Sequence, residues 1–549
     1  MNFQGEDMKN FDTFAFMVDC SRDGVLNVES VKRLIRLLKK MDYNALMLYI
    51  EDTYEVDKEP YFGYLRGRYS VSDLKEIDEY AKEHGVELIP CIQTLAHLNQ
   101  IFRHEDYSSI NDINDILLVD DERTYQLIDN MFSSLEKEFT SRRVHIGMDE
   151  AHLLGLGKYK ELHGYQDRTD IFIRHLNKVN EIAKKHGFSV MMWSDMFFRL
   201  ASNNSSYYNV DAKMDLNKLK DVPKDVLQVY WDYYHNDKNI YDKMISLHKE
   251  INSNSLYFAS GVWTWAGFAP LLSKAEETIA PGIRSCIDNK VRNVIMTGWG
   301  DNGAECSMFS SVTSLFFASE IAKGINDINK IKEDFFNVLG YKYDDLKLLE
   351  IPNQITNPGE GDDPKLVNPC KYFLYNDPLL GIFDSRVDIN DEILFEKHAK
   401  KLSEVSFRCG EYKYIFDYLA SLCHLLSIKV SLGVRLRDAY RKGDKEELKN
   451  LLPRIEECIN RLSDFSTQYR KRWIIDNKPI GMEVGQLRLG GLKARLEETR
   501  RVVIAYTNGT IDRIEELREK ILPLIKKEAN PKSAIYFNSH ILNATNNIL

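Results

Sequence analysis

From residue 12 to about residue 325, short apolar runs alternate with amphipathic stretches. The runs are TFAFMV (13–18), ALMLYI (45–50), VELIPCI (86–92), RVHIGM (143–148), SVMMW (189–193), LQVYW (227–231), LYFAS (256–260) and NVIMTGW (293–299). Strands covered on both faces read as continuous apolar runs, so these eight predict parallel strands with helices packed outside them. Between the first two, ESVKRLIRLLKKM (29–41) repeats Val31, Leu34, Ile35 and Leu38 at helical spacing. SDLKEIDEYAKEHG (72–85), RTYQLIDNMFSSLEKEF (123–139) and IFIRHLNKVNEIAKKHG (171–187) follow the same pattern. The Gly that closes KEHG and KKHG is a helix stop signal. Eight such units in series over about 310 residues predict a (β/α)8 TIM barrel. A doubly wound open sheet also alternates, but no GxGxxG follows the first run.

Past about residue 330 the strand signal fades. IPNQITNPGEGDDPKLVNP (351–369) carries four Pro and two Gly and reads as a loop. Beyond it the pattern is helical: within 445–468, Leu448, Leu451, Leu452, Ile455, Ile459, Leu462 and Phe465 share one face. Ile511, Ile514, Leu517, Ile521 and Ile525 do the same. The expected organisation is a catalytic barrel over 1–330, a connecting segment over 331–369 and an α-helical domain over 370–549, with the Asn-rich end NSHILNATNNIL (538–549) frayed.

Composition narrows the function. Hydrophobic residues are 44% and charged residues 28% of the 549, an ordinary globular balance. Lys plus Arg is 73 against 83 Asp plus Glu, a net charge of −10, which weighs against a nucleic-acid partner. The eight cysteines form no CxxC and no zinc spacing and read as buried, reduced thiols. No HExxH or comparable ligand spacing appears, so neither a metal nor a cofactor is expected. MNFQGEDMKNFDTF lacks the basic segment and apolar run of an export signal, and no run reaches ~18 apolar residues, so the expectation is a cytoplasmic protein with no membrane partner.

A barrel of this kind carries its chemistry at the C-terminal ends of its strands. Those ends hold Asp19 and Arg22; Glu51 and Asp52; Gln93 and His97; His145, Asp149 and Glu150; Trp193 and Asp195; Tyr230 and Asp232; Trp263 and Trp265; Trp299, Asp301 and Glu305. Five of the six tryptophans lie between Trp193 and Trp299. Indole faces beside carboxylates suit a sugar, whose C–H faces stack and whose hydroxyls seek acceptors. Adjacent Asp149 and Glu150 point to opposite sides inside a strand, but both can turn into a site where the chain leaves the ladder, and Gly147 permits that bend. The competing reading is that the pair caps a following helix.

HIGMDE resembles the His-x-Gly-x-Asp-Glu signature of glycoside hydrolase family 20, the exo-acting β-N-acetylhexosaminidases. On that resemblance Arg22 matches the arginine that binds the terminal sugar's hydroxyls, and His97 matches a histidine that supports the acid. Tyr230 and Asp232 match the pair around the acetamido group. Trp299 and Asp301 match the last tryptophan and its hydroxyl-binding acid, and Trp193 and Trp263 wall the pocket. YIEDTYE, IQTLAHL, GMDEAHLLGLGKY and NPCKYFLYNDPLLG are similar to the bacterial subgroup with a C-terminal helical domain. The chain departs from the commoner pattern at Met148, at Gln93 through His97, and at Asp301.

The resemblance implies removal of terminal β-linked N-acetylglucosamine or N-acetylgalactosamine, with retention, by attack of the substrate's own 2-acetamido oxygen. Glu150 is then the acid, with a raised pKa, Asp149 orients the acetamido N–H, and Tyr230 holds its oxygen. Two alternatives stay open: a retaining barrel glycosidase with a protein nucleophile such as Asp301, and a sugar-binding barrel without turnover. The expected partners are N-acetylhexosaminide oligosaccharides or glycoconjugate glycans. Oligomeric state is open, with a homodimer through the helical domain as the arrangement to test.

Overall fold

All eight apolar runs form strands: β1 Thr13–Asp19, β2 Ala45–Glu51, β3 Glu87–Ile92, β4 Arg143–His145, β5 Ser189–Trp193, β6 Leu227–Trp231, β7 Leu256–Gly261 and β8 Asn293–Gly298. The computed structural model describes residues 10–203, 207–211, 213–252, 256–359 and 365–522. Each strand pairs in parallel with its neighbour in chain order, and β8 returns to β1, with Phe14 against Val294. The sheet is therefore the closed (β/α)8 barrel that the eight runs predict.

Successive side chains in a strand point to opposite faces. Here the odd-numbered positions fill the lumen: Ala15, Met17, Met47, Tyr49, Ile89, Cys91, Met191, Trp193, Val229, Tyr257, Ala259 and Ile295 form one buried cluster. At the strands' N-terminal end Arg143 closes the lumen, donating to Thr13 Oγ1 (2.8 Å) and Tyr257 OH (3.0 Å) and pairing with Glu87. Even positions face the helices. Those helices start where side chains satisfy their first amides: Asn27 caps Val28–Lys40, Ser70 and Asp73 form a capping box on Val71–Glu83, and Asp121 and Asp167 cap Glu122–Glu138 and Arg168–Lys185.

Contacts divide the chain into two compact units. The first is Met1–Val262, Ser273–Trp299 and Ser314–Leu339. The second is Trp263–Leu272, Gly300–Thr313 and Gly340–Leu549. Within the second unit the helices Lys413–Lys429 and Leu452–Asp476 share a core in which Tyr418 stacks on Phe465 (5.4 Å, 18°). Glu305 is buried there and meets Lys371 Nζ (2.6 Å), Arg488 Nη1 (3.0 Å) and Tyr375 OH (3.1 Å). A carboxylate taken out of water needs such partners. The run Gly410–Arg441 is apolar enough by composition to cross a bilayer, but it is broken into two helices and is mostly buried inside this unit. All eight cysteines are free and buried.

Two helical expectations change. The stripe over 445–468 divides into Lys445–Asn450 and Leu452–Asp476, because Pro453 has no amide to continue a helix and starts the second one. Within 511–522 only Glu515–Arg518 is helical. Gly509, at φ 77°, follows the preceding helix Met482–Thr507. Side chains then take the backbone groups: Ile514 N donates to Tyr440 OH (3.1 Å), and Arg437 donates to the carbonyls of Glu516 and Glu519 (both 3.1 Å). Ile514 and Leu517 are buried all the same. Ile525 and the Asn-rich end lie outside the described residues.

The run 143–148 is shorter as a strand than its apolar pattern predicts. β4 ends at His145, and the chain then bends through Gly147 (φ 69°) and Met148 (φ 69°). A Cβ on Gly147 would lie 2.0 Å from Gln93 Oε1. Gly147 is therefore required twice, for its left-handed backbone and for the approach of Gln93. Gly147→Ala is expected to lower unfolding stability by about 2 kcal/mol or more in urea titration. Gly187→Ala, at φ 76° with open space around it, carries only the backbone cost and is expected to lose less.

Candidate active site

The barrel ladder runs out just before Asp149. Ile146 N donates to Met191 O (2.8 Å) and Trp193 N to Gly147 O (3.3 Å). Two amides beyond it find side chains instead, one on each side: Met148 N donates to Gln93 Oε1 (3.1 Å), past β3, and Glu150 N to Asp195 Oδ2 (3.0 Å), past β5. Met148 and Glu150 both take left-handed backbone (φ 69° and 52°), which undoes the alternation of a strand. As a result both carboxylates meet one imidazole. His97 Nε2 lies 3.2 Å from Asp149 Oδ2 and 3.8 Å from Glu150 Oε2. Neither acid caps a helix, since the next one is Lys158–His163 with Gly157 before it.

Asp149 is fixed on both oxygens, because Gln93 Nε2 donates to its Oδ1 at 2.8 Å. Burial alone would raise its pKa, but the His97 imidazolium and the Gln93 hydrogen bond hold it below the usual carboxylate range. Burial likewise opposes a charge on His97, and Asp149 overcomes it, raising the imidazole to about 9. The two form an ion pair at neutral pH. His97 is itself held in a left-handed turn (φ 57°), its backbone amide donating to Asp115 Oδ2 at 2.9 Å. The Glu150 side chain is 43% exposed and that of Asp149 14%, so Glu150 is the acid open to a ligand.

A relay runs from Asp149 to the first strand. Gln93 Nε2 also donates to Tyr49 OH (2.8 Å), and Tyr49 OH donates to Glu51 Oε1 (3.0 Å). Glu51 pairs with Arg22 Nη2 (3.1 Å), whose Nε lies 3.9 Å from Asp19 Oδ2. Burial raises the Glu51 pKa, and the Arg22 guanidinium opposes it. Arg22 thus joins the same network as the acidic pair. Trp193 is buried against His145 (4.4 Å between rings) and Trp299 (6.0 Å), and Trp299 meets Tyr49 edge-on (4.8 Å, 87°). The Trp193 Nε1 is buried without a hydrogen-bond partner among the described residues. His145 accepts the Gly147 N–H on Nδ1 (3.1 Å), and burial pushes its pKa down to about 3, so it is a neutral wall residue.

Tyr230 and Asp232 do not join this group. Tyr230 is an even position of β6, and its ring faces outward against Tyr208 (4.8 Å), His248 (4.8 Å) and Phe258 (5.5 Å). Its hydroxyl donates to Asp232 Oδ2 (2.7 Å), which also holds His235 Nδ1 (2.7 Å). The lumen positions of β6 are Leu227, Val229 and Trp231, and the tyrosine that continues them is Tyr233. Tyr233 stacks on Trp231 (5.4 Å, 23°). It hydrogen-bonds with Thr297 and Trp299, and its pKa is raised by burial and by the Asp149 charge. Counting parity from Val229 is the signal that finds it. Trp263 and Asp301 belong to the second unit, where Trp263 stacks on Trp265 (4.7 Å, 24°).

Comparison with known proteins matches both parts of the chain. Residues 13–274 match the glycosyl hydrolase family 20 catalytic domain, and residues 344–536 match the Glycoside Hydrolase 20C C-terminal domain. The chain is 24% identical over 294 residues to Hexosaminidase D of Homo sapiens, covering 50% of this chain and 57% of that protein. It is 24% identical over 298 residues to Hexosaminidase D of Bos taurus, covering 49% and 79%. Among solved structures it is similar to a family 20 exo β-N-acetylglucosaminidase from Vibrio harveyi in complex with N-acetylglucosamine, at 15% identity and a TM-score of 0.46, covering 62% of this chain and 58% of that one. With its barrel and its helical part each matched by a domain of the same family, the chain belongs to glycoside hydrolase family 20.

Proposed function

We propose that the chain is an exo-acting β-N-acetylhexosaminidase. It removes terminal β-linked N-acetylglucosamine or N-acetylgalactosamine from oligosaccharides or glycoconjugates, with retention, using the substrate's 2-acetamido oxygen as attacking group. The observation that carries this is the state of Asp149. Both its oxygens are engaged, by Gln93 and by His97, and it is held as an anion beside the more open Glu150.

Such a carboxylate is anchored and cannot swing to an anomeric carbon. Each oxygen still has a free lone pair, so Asp149 accepts the acetamido N–H and stabilises the positive charge that builds on the amide as its oxygen attacks. Glu150 protonates the leaving oxygen and later takes a proton from water. Tyr233, on the lumen side, takes the role of fixing the acetamido oxygen, which the sequence resemblance gave to Tyr230. Trp193 and Trp299 supply apolar walls for the sugar. An attacking group carried by the substrate has an effective molarity of ~10⁵ M or more, worth ~7 kcal/mol of barrier.

Two measurements test this. Glu150→Gln is expected to lower kcat on an aryl β-N-acetylglucosaminide by ~10³-fold or more while a thiazoline mimic of the cyclic intermediate still binds, and the wild type is expected to leave the matching β-glucoside untouched. Equal cleavage of the two glycosides would sink the substrate-assisted reading. The second measurement is pH dependence. The His97 pKa is raised from 6.5 to about 9, so the stability its ion pair contributes is complete below 6.5 and is lost as pH rises through about 9. Thermal unfolding should therefore fall across that window in the wild type and not in His97→Gln, and kcat/KM should show an alkaline limb near 9 that the variant lacks.

A further inference from the structure

Asp195 stands where β5 has already ended, as the first residue of the helix Asp195–Ala201. It is fully buried. Through Oδ2 it accepts the Glu150 N–H at 3.0 Å, in place of the carbonyl that a continued ladder would have supplied. Its other oxygen, Oδ1, is buried with no hydrogen-bond partner among the described residues. A carboxyl in that position pays the cost of burial with only half its capacity used. Burial first, and then the charges of Asp149 and Glu150, push its pKa well above the carboxylate range. Ser194, beside it, is engaged elsewhere, with Tyr208 OH (3.0 Å) and His248 Nε2 (2.8 Å).

We propose that Asp195 is a positioning residue for the general acid: by holding the Glu150 amide it keeps Glu150 in its left-handed backbone conformation and so fixes where the Glu150 carboxyl meets the leaving oxygen. This rests on Glu150 being that acid. Asp195 Oδ2 is the acceptor that this amide meets, on the β5 side where the ladder has ended. Without Asp195 the residue relaxes toward an ordinary φ, and the side chain, which leaves the backbone at that atom, swings with it. The inference concerns the acid's placement and leaves Asp149 alone, since Gln93 and His97 hold Asp149 independently.

The test compares two leaving groups. A phenyl β-N-acetylglucosaminide needs a proton on departure, and a dinitrophenyl one does not. Asp195→Ala is expected to lower kcat on the phenyl substrate ~100-fold, the usual effect of a displacement of about 1 Å, with KM changed less than about 3-fold. On the dinitrophenyl substrate the same variant is expected to lose less than about 5-fold. Asp195→Asn has the same shape and still accepts through Oδ1, so it is expected to recover most of the loss. Where the alanine variant does not fold, Asp195→Ser, too short to reach the amide, is read in the same way. The inference is overturned by an equal loss on both substrates, by a loss confined to KM, or by an asparagine variant no better than alanine. Glu150→Gln, run alongside, separates the two ideas. If it shows the leaving-group dependence and Asp195→Ala does not, only the present inference fails. If Glu150→Gln cleaves both substrates at wild-type rates, the role of Glu150 itself is wrong.

Discussion

Neighbouring residues of a strand face opposite ways, and a site that needs two consecutive carboxylates on one side must break that rule. The break strands backbone amides that the ladder would have satisfied. Here the adjoining strands answer with side chains: Gln93 takes the Met148 amide and Asp195 the Glu150 amide. Gly147 makes the bend, and its missing Cβ leaves the space Gln93 occupies. The exchange reaches further into the site, because the same Gln93 goes on to hold Asp149 and Tyr49.

The exchange also sets the electrostatics. Asp149, Glu51 and Asp195 are acids largely withdrawn from water, with His97 and Arg22 as the cations among them. The cations are assigned by geometry: His97 stands against Asp149, and Arg22 against Glu51. At Asp195 burial, with Asp149 and Glu150 nearby, pushes the pKa well above the carboxylate range. Asp149, His97 and Asp195 therefore each have a pKa displaced by their own surroundings. Perturbation of that kind marks sites of proton transfer.

Much of the fold is legible in the chain, for a physical reason. A strand covered on both faces must be apolar throughout, so eight buried strands leave eight apolar runs, and a closed count of eight leaves one architecture. The acidic pair is legible too, since Asp149 and Glu150 follow a strand directly. What a run of letters conceals is direction. Tyr230 and Tyr233 look alike in YWDYYH, yet β6 sends the first toward the helices and the chain beyond it brings the second to Trp299. That difference depends on a parity fixed by Val229 and Trp231. Near residue 511 the periodicity promises a helix, but Tyr440 and Arg437 capture the backbone groups a helix would have paired, and that competition comes from residues some 70 positions away.

The cluster around Glu305 has a consequence for the order in which the chain is made. Gly300–Thr313 emerges from the ribosome right after the last barrel strand, but the groups that meet Glu305 arrive much later: Lys371 lies 66 residues on, Tyr375 70 and Arg488 183. Until Arg488 has been synthesised, Glu305 lacks one of the two cations it meets in the folded chain. The stretch that follows the last barrel strand thus takes its final partner from a residue made near the far end of the polypeptide.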